Sequence, residues 1–149
     1  MLVITETKAI ITNVVPHVDE ETGLRADITL TIEVDGGPKV MKQLHANVLA
    51  ATCWNEAGEP TVDDFDIRGR HKIENCSVTL HRGAARVFIE SADLSHLKFR
   101  PTAHHQLQIN VKVLAKVGSK DVAALCDMWV GTEITLSVRE KQMSLEDAA

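Results

Sequence analysis

LRADITLTIEV, residues 24–34, alternates apolar and polar side chains without a break. Successive side chains of an extended strand point to opposite faces, so this pattern predicts a β-strand that buries one face. The residues predicted to face inward are Leu24, Ala26, Ile28, Leu30, Ile32 and Val34. This segment is the strongest evidence in the sequence for a fold built from strands.

The same alternation recurs along the chain. Residues 107–117 and 134–138 repeat it, residues 76–91 predict a hairpin, and residues 1–15 are a further strand candidate. Residues 40–53 fit either a helix or a strand, and a helix or irregular structure is slightly favoured. The short connections favour antiparallel pairing. The sequence therefore predicts an all-β fold, mainly an antiparallel β-sandwich or a small open barrel. We expect a single β-rich domain over residues 1–149 with a flexible tail at residues 143–149.

One short capping helix is predicted at about residues 120–130, within GSKDVAALCDMWVG (118–131). Ser119 fits the N-cap and Gly131 fits the residue after the last turn. The residues that recur at helical spacing on one apolar face are Val122, Leu125, Cys126 and Trp129. We expect this helix to be structural, with Trp129 buried and the Cys126 thiol protonated and unreactive.

Composition and charge exclude several classes of protein. The 149 residues carry a formal net charge of -5, which argues against coating nucleic acid or an anionic membrane through bulk charge. Aromatic residues make up only 3% of the chain, so rings for stacking are few. The three cysteines are not closely spaced and the N-terminus lacks a long apolar run, which indicates a reducing cytoplasm. No stretch approaches about eighteen consecutive apolar residues, so no membrane association is predicted.

Sequence motifs for catalysis or metal binding are missing. The chain has no phosphate-binding glycine loop, no dinucleotide-binding glycine pattern and no nucleophile elbow. His104 and His105 are adjacent, and on an extended chain their side chains would point to opposite faces rather than to one ion. We therefore predict a protein that is not an enzyme and has no cofactor and no metal site.

Two charged regions are the candidate binding sites. The first interleaves cations with aromatic rings, as proteins that bind single-stranded nucleic acid do. Its residues, on a predicted basic face over 82–100, are Arg82, Arg86, Phe88, Lys98, Phe99 and Arg100. The second is an acidic loop predicted to contact a partner, with Glu56, Glu59, Asp63, Asp64 and Asp66. An ordinary charged sheet face and a solvated loop are the alternative interpretations.

The C-terminal third of the chain resembles small uncharacterised proteins encoded by bacteriophages and prophages. LKFRP (97–101), a long alternating strand, a short helix ending in glycine and EITLSV (133–138) carry this resemblance. It implies a cytoplasmic accessory protein of the bacterial host cell that binds a protein partner, in phage replication or recombination or in inhibition of a host system. The alternatives are a weak binder of single-stranded nucleic acid through the 82–100 face and a head or tail component of the virion. The sequence leaves self-association as a homo-oligomer open.

Overall fold

The computed structural model describes residues 1–21, 23–67, 72–130 and 133–141. This part of the chain forms six strands and three helices. In chain order they are β1 (Val3–Asp19), β2 (Gly23–Val34), α1 (Gly37–Gln43), α2 (Asn47–Thr52), β3 (Lys72–Arg82), β4 (Ala85–Thr102), β5 (Gln106–Lys116), α3 (Ser119–Val130) and β6 (Ile134–Glu140). The predicted tail at 143–149 and Gly131 lie outside the described residues.

The strands close into one barrel in the order β1-β2-β5-β4-β3-β6. Each neighbouring pair is antiparallel, including β1 with β6, which joins the two ends of the sheet. The all-β antiparallel prediction is confirmed. The sequence left a β-sandwich and a small open barrel as alternatives. The structure is neither of these, because the pairing of β1 with β6 closes the barrel.

Five register shifts interrupt the strand pairings of the described residues, and three of them are β-bulges that contain a residue with positive φ. Their residues with positive φ are Glu6 in β1 (43°), Asn75 in β3 (58°) and His96 in β4 (54°). A bulge adds an unpaired residue to one strand and bends it, as a strand in a small barrel must bend. The bulge in β3 is held by Asp93, whose carboxylate accepts the Asn75 N–H at 3.1 Å.

Inward-facing apolar side chains fill the barrel. The β2 residues predicted to face inward are buried, except Leu24, which is half-buried. β5 and β6 contribute the same alternation of buried and outward positions. The cavity left between the core side chains is about 10 Å³, about the space that one water molecule needs. The interior is therefore a packed core and not a ligand chamber.

Helices lie at both ends of the barrel. α1 follows β2 and α3 follows β5, and since β2 and β5 are antiparallel these two helices lie at opposite ends. At the first end the Trp54 indole N–H donates to the Thr102 carbonyl at 2.9 Å. A Cβ at Gly37 would lie only 2.7 Å from the Trp54 ring, so glycine permits the close packing of α1. The helical interpretation of residues 40–53 is confirmed.

The predicted helix caps the other end of the barrel. Of the predicted apolar face, Leu125 is buried and Val122 and Cys126 are half-buried against the core, but Met128 is buried in place of Trp129. α3 packs against β1 and β4 and buries Leu125 and Met128. Trp129 is 41% exposed, so the prediction that it is buried is wrong. Adjacent helical residues point about 100° apart, and it is Met128 that enters the barrel. The Asp121 carboxylate accepts the Gly118 N–H at 3.2 Å at the start of the helix.

Candidate binding surfaces

The three thiols are either buried or partly covered. Cys53 and Cys76 are buried and Cys126 is half-buried. Burial raises the pKa of the Cys53 thiol. Burial, with a smaller effect from the Glu140 and Asp93 carboxylates, raises the pKa of Cys76 to about 12. A protonated thiol is a poor nucleophile and a poor metal ligand. Within the described ranges, no three His, Cys, Asp or Glu side chains are grouped as metal ligands.

Alkaline pH is expected to destabilise the fold through Cys76. Its pKa is about 12 in the folded protein and 9.0 for an unperturbed thiol. Above about pH 9 the unfolded chain loses this proton while the folded protein keeps it. The free energy of unfolding should therefore fall by roughly 1 kcal/mol between about pH 8 and pH 10. Urea unfolding across this range measures the decline, which should be shallower for Cys76→Ala. Equal declines in both proteins would rule out Cys76 as the cause.

Part of the acidic loop, at Asp64 and Phe65, is docked onto the end of β4. Phe65 and Phe99 exchange two backbone hydrogen bonds of 2.8 and 2.9 Å, and their rings stack with centroids 5.7 Å apart. Asp64 accepts hydrogen bonds from Arg100 at 2.5 and 3.3 Å and lies 4.0 Å from the Lys98 ammonium. The hydrogen bond from Arg100 lowers the pKa of Asp64. The two charged regions that were predicted separately thus meet in one ion cluster.

The other acidic residues of the loop remain at the surface. Glu56, Glu59, Asp63 and Asp66 are exposed and have no ion pair within the described part of the chain. Their role in partner binding stays a prediction.

The predicted basic face does not form one surface. Phe88 and Phe99 are eleven residues apart along β4, which corresponds to about 35 Å. Phe99 is 0% exposed, so its assignment as an exposed stacking ring is wrong. Its side chain points into the barrel because it shares the inward phase of β4 with Leu97. Arg82 donates to the Asp127 carbonyl at 3.2 Å in the last turn of α3, where a cation also complements the helix dipole.

Arg86 lines a groove on the outer face of β3 and β6, and Phe88 lies beside the groove on β4, paired with Thr79. We call it the β3–β6 groove. Its polar lining residues are Thr5, Glu6, Ser77, Thr79, His81, Arg86, Ser137 and Arg139, and the rest of the lining is Val3, Ile4, Gly83, Ala84 and Val138. Two adjoining depressions of about 400 and 190 Å³ share Thr79 and Ser137 and make it continuous. Small hydroxyl side chains in the middle and longer side chains at the margins produce its concave shape.

Strand register decides which side chains face one another in this groove. Three rows cross it: His81 beside Thr135 and Arg86, Thr79 beside Ser137 and Phe88, and Ser77 beside Arg139. The bulge in β1 supplies a wall, because the Glu6 N–H donates to the Ser137 hydroxyl at 2.9 Å. Sequence reasoning missed His81, Ser137 and Arg139, since nothing local in the sequence indicates that β6 pairs with β3.

Exposed apolar side chains gather elsewhere, on the first strand and the last helix. Of the ten exposed large hydrophobic residues in the described part of the chain, five are Met1 or belong to β1, and two end α3. The seven are Met1, Val3, Ile10, Val15, Val18, Trp129 and Val130. β1 begins near α1, where Met1 and Val3 bond to Gln43, and ends near α3, so only the exposed residues towards its C-terminal end lie on the same side of the barrel as Trp129 and Val130. Trp129 is the largest of these side chains.

A scan against protein-family models finds no match, and neither does a search of curated proteins or of solved structures. None of the described helices is long and apolar enough to cross a membrane. Function is therefore inferred from the surfaces themselves.

Proposed function

We propose that the protein is a non-enzymatic accessory protein that acts by binding another protein. The observation that carries this proposal is the exposure of Trp129 and Val130 at the end of α3, a helix that packs against β1. Tryptophan side chains at the centre of protein interfaces often contribute most of the binding energy. The packed interior also supports it, because a filled barrel leaves the outer surface for recognition.

Trp129 is presented from a well-anchored position. Leu125 and Met128 fix the helix on the barrel, and Arg82 holds the last turn through its bond to the Asp127 carbonyl. A contact residue held on a rigid element loses little conformational entropy when a partner binds. The resemblance of the C-terminal third to phage-encoded proteins extends the proposal to a bacterial host cell, with a partner from phage DNA metabolism or from a host system that the protein inhibits.

Photo-crosslinking in a bacterial host tests this proposal. A photoreactive residue in place of Val130, which is 88% exposed, should give a discrete covalent adduct with one partner. Adding Trp129→Ser should reduce the adduct at least about tenfold, since loss of a central anchor costs roughly 2 kcal/mol or more. The matched control is the same photoreactive residue at Val48, which is 78% exposed on α2 at the other end of the barrel.

Adduct formation of equal yield from position 48, or an adduct insensitive to Trp129→Ser, would contradict the proposed surface. An adduct with a second copy of the chain would instead assign this surface to self-association.

A further inference from the structure

We propose that the β3–β6 groove binds a single strand of nucleic acid. This inference is independent of the protein-binding proposal, because the groove lies on β3 and β6 and not on the exposed end of α3. It also differs from the basic face predicted over 82–100, of which it retains only Arg86 and Phe88.

Several hydrogen-bond donors line the groove. The structure gives the guanidinium groups of Arg86 and Arg139 no hydrogen bond or ion pair with any described residue. Between them lie the hydroxyls of Ser77, Thr79 and Ser137, and each hydroxyl can donate to an acceptor above it. Phosphate and base oxygens are such acceptors, and guanidinium binds phosphate in a forked geometry.

Two cations and two acids border the groove in a protein whose formal net charge is -5. Arg86 and Arg139 are the cations, and the acids are Glu6 in the wall and Glu90, which follows Phe88 on the outer face of β4. The Asp64 carboxylate pairs with Arg100 near the C-terminal end of β4 and does not line the groove. An anionic ligand is favoured here by the two guanidinium groups that have no described partner, and not by a net positive charge.

An aromatic ring stands between the two cations. Neighbouring rows of the groove are two residues apart, about 7 Å along the strands, so Arg86 and Arg139 lie in rows about 13 Å apart. Phe88 occupies the row between them and is 56% exposed. A base can stack on such a ring while flanking phosphates meet the two cations, which is how single strands are bound without sequence preference. An acidic peptide would use the cations but not the ring.

Fluorescence anisotropy with a labelled oligothymidylate at low salt tests the proposal. Arg86→Glu with Arg139→Glu should weaken binding at least about tenfold. The control pair is Lys112→Glu with Lys116→Glu on β5, which lies directly across the ring of six strands from β6. Both pairs change the net charge equally, so the control should change the affinity less than about twofold. Two phosphate contacts predict a log-log salt slope of about -1.4 for the unmodified protein.

Two further variants separate nucleic acid from other anions. Phe88→Leu should weaken oligonucleotide binding by roughly 5- to 150-fold, the range for one stacked base, and Phe88→Trp should preserve it. Glu6→Gln should tighten binding, because it removes the one acid from the wall. The proposal is overturned if no oligonucleotide binds at low salt, or if the control pair weakens binding as much as the groove pair. It is also overturned if an oligoglutamate peptide displaces the oligonucleotide at equal concentration, which would make the groove a site for acidic protein.

Discussion

Replacing Phe99 by alanine is expected to lower the free energy of unfolding by about 3–5 kcal/mol. The ring is completely buried, and it lies between the barrel core and Phe65 of the docked loop. The substitution removes buried apolar surface and leaves a cavity that a closed barrel cannot readily collapse around. It also removes the ring on which Phe65 stacks, so the ion cluster of Asp64, Lys98 and Arg100 should loosen with it.

Urea unfolding followed by circular dichroism measures this effect as a lower midpoint at an unchanged slope. Phe88→Ala is the matched control, since it removes the same side chain from the outer face of the same strand. Its effect should stay within about 0.5 kcal/mol. Comparable losses for the two phenylalanines would mean that Phe99 is not the buried member of the pair.

Leu125→Ala is expected to cost about 2–5 kcal/mol, the second largest effect. Leu125 is completely buried where α3 closes the end of the barrel, so its loss opens a cavity under the helix. Trp129→Ala should cost less, although tryptophan is the larger residue, because much of its side chain is already in contact with water.

Thermal and urea unfolding of these variants test the orientation of α3. Val130→Ala, in the same turn and almost fully exposed, should change the stability by no more than about 0.5 kcal/mol. A larger loss of unfolding free energy for Trp129→Ala than for Leu125→Ala would mean that Trp129 is buried, and it would contradict the packing described above.

The strands and their inward faces could be predicted because the alternation of side chains is a strong local signal. Residues 26–34 and 107–117 carry the pattern with few interruptions, and the inward positions are the buried ones. The helix at 119–130 was predictable for a similar reason, from its apolar spacing. The rotation of this helix about its axis could not be predicted, because Met128 and Trp129 are adjacent in the sequence and both are apolar. The barrel opening accepts the flexible Met128 side chain, and only packing can make that choice.

The sequence by itself determined the all-β class, the phase of each clear strand and the presence of the capping helix, since all three depend on residues close together in the chain. Only the tertiary structure decided barrel closure and the composition of the binding surfaces. Asp64 meets Arg100 across 36 positions of sequence, and Ser137 meets Thr79 through the pairing of β6 with β3. Strand order and register are set by the packing of the whole core, so the residues that share an outer surface are fixed only when the barrel has closed.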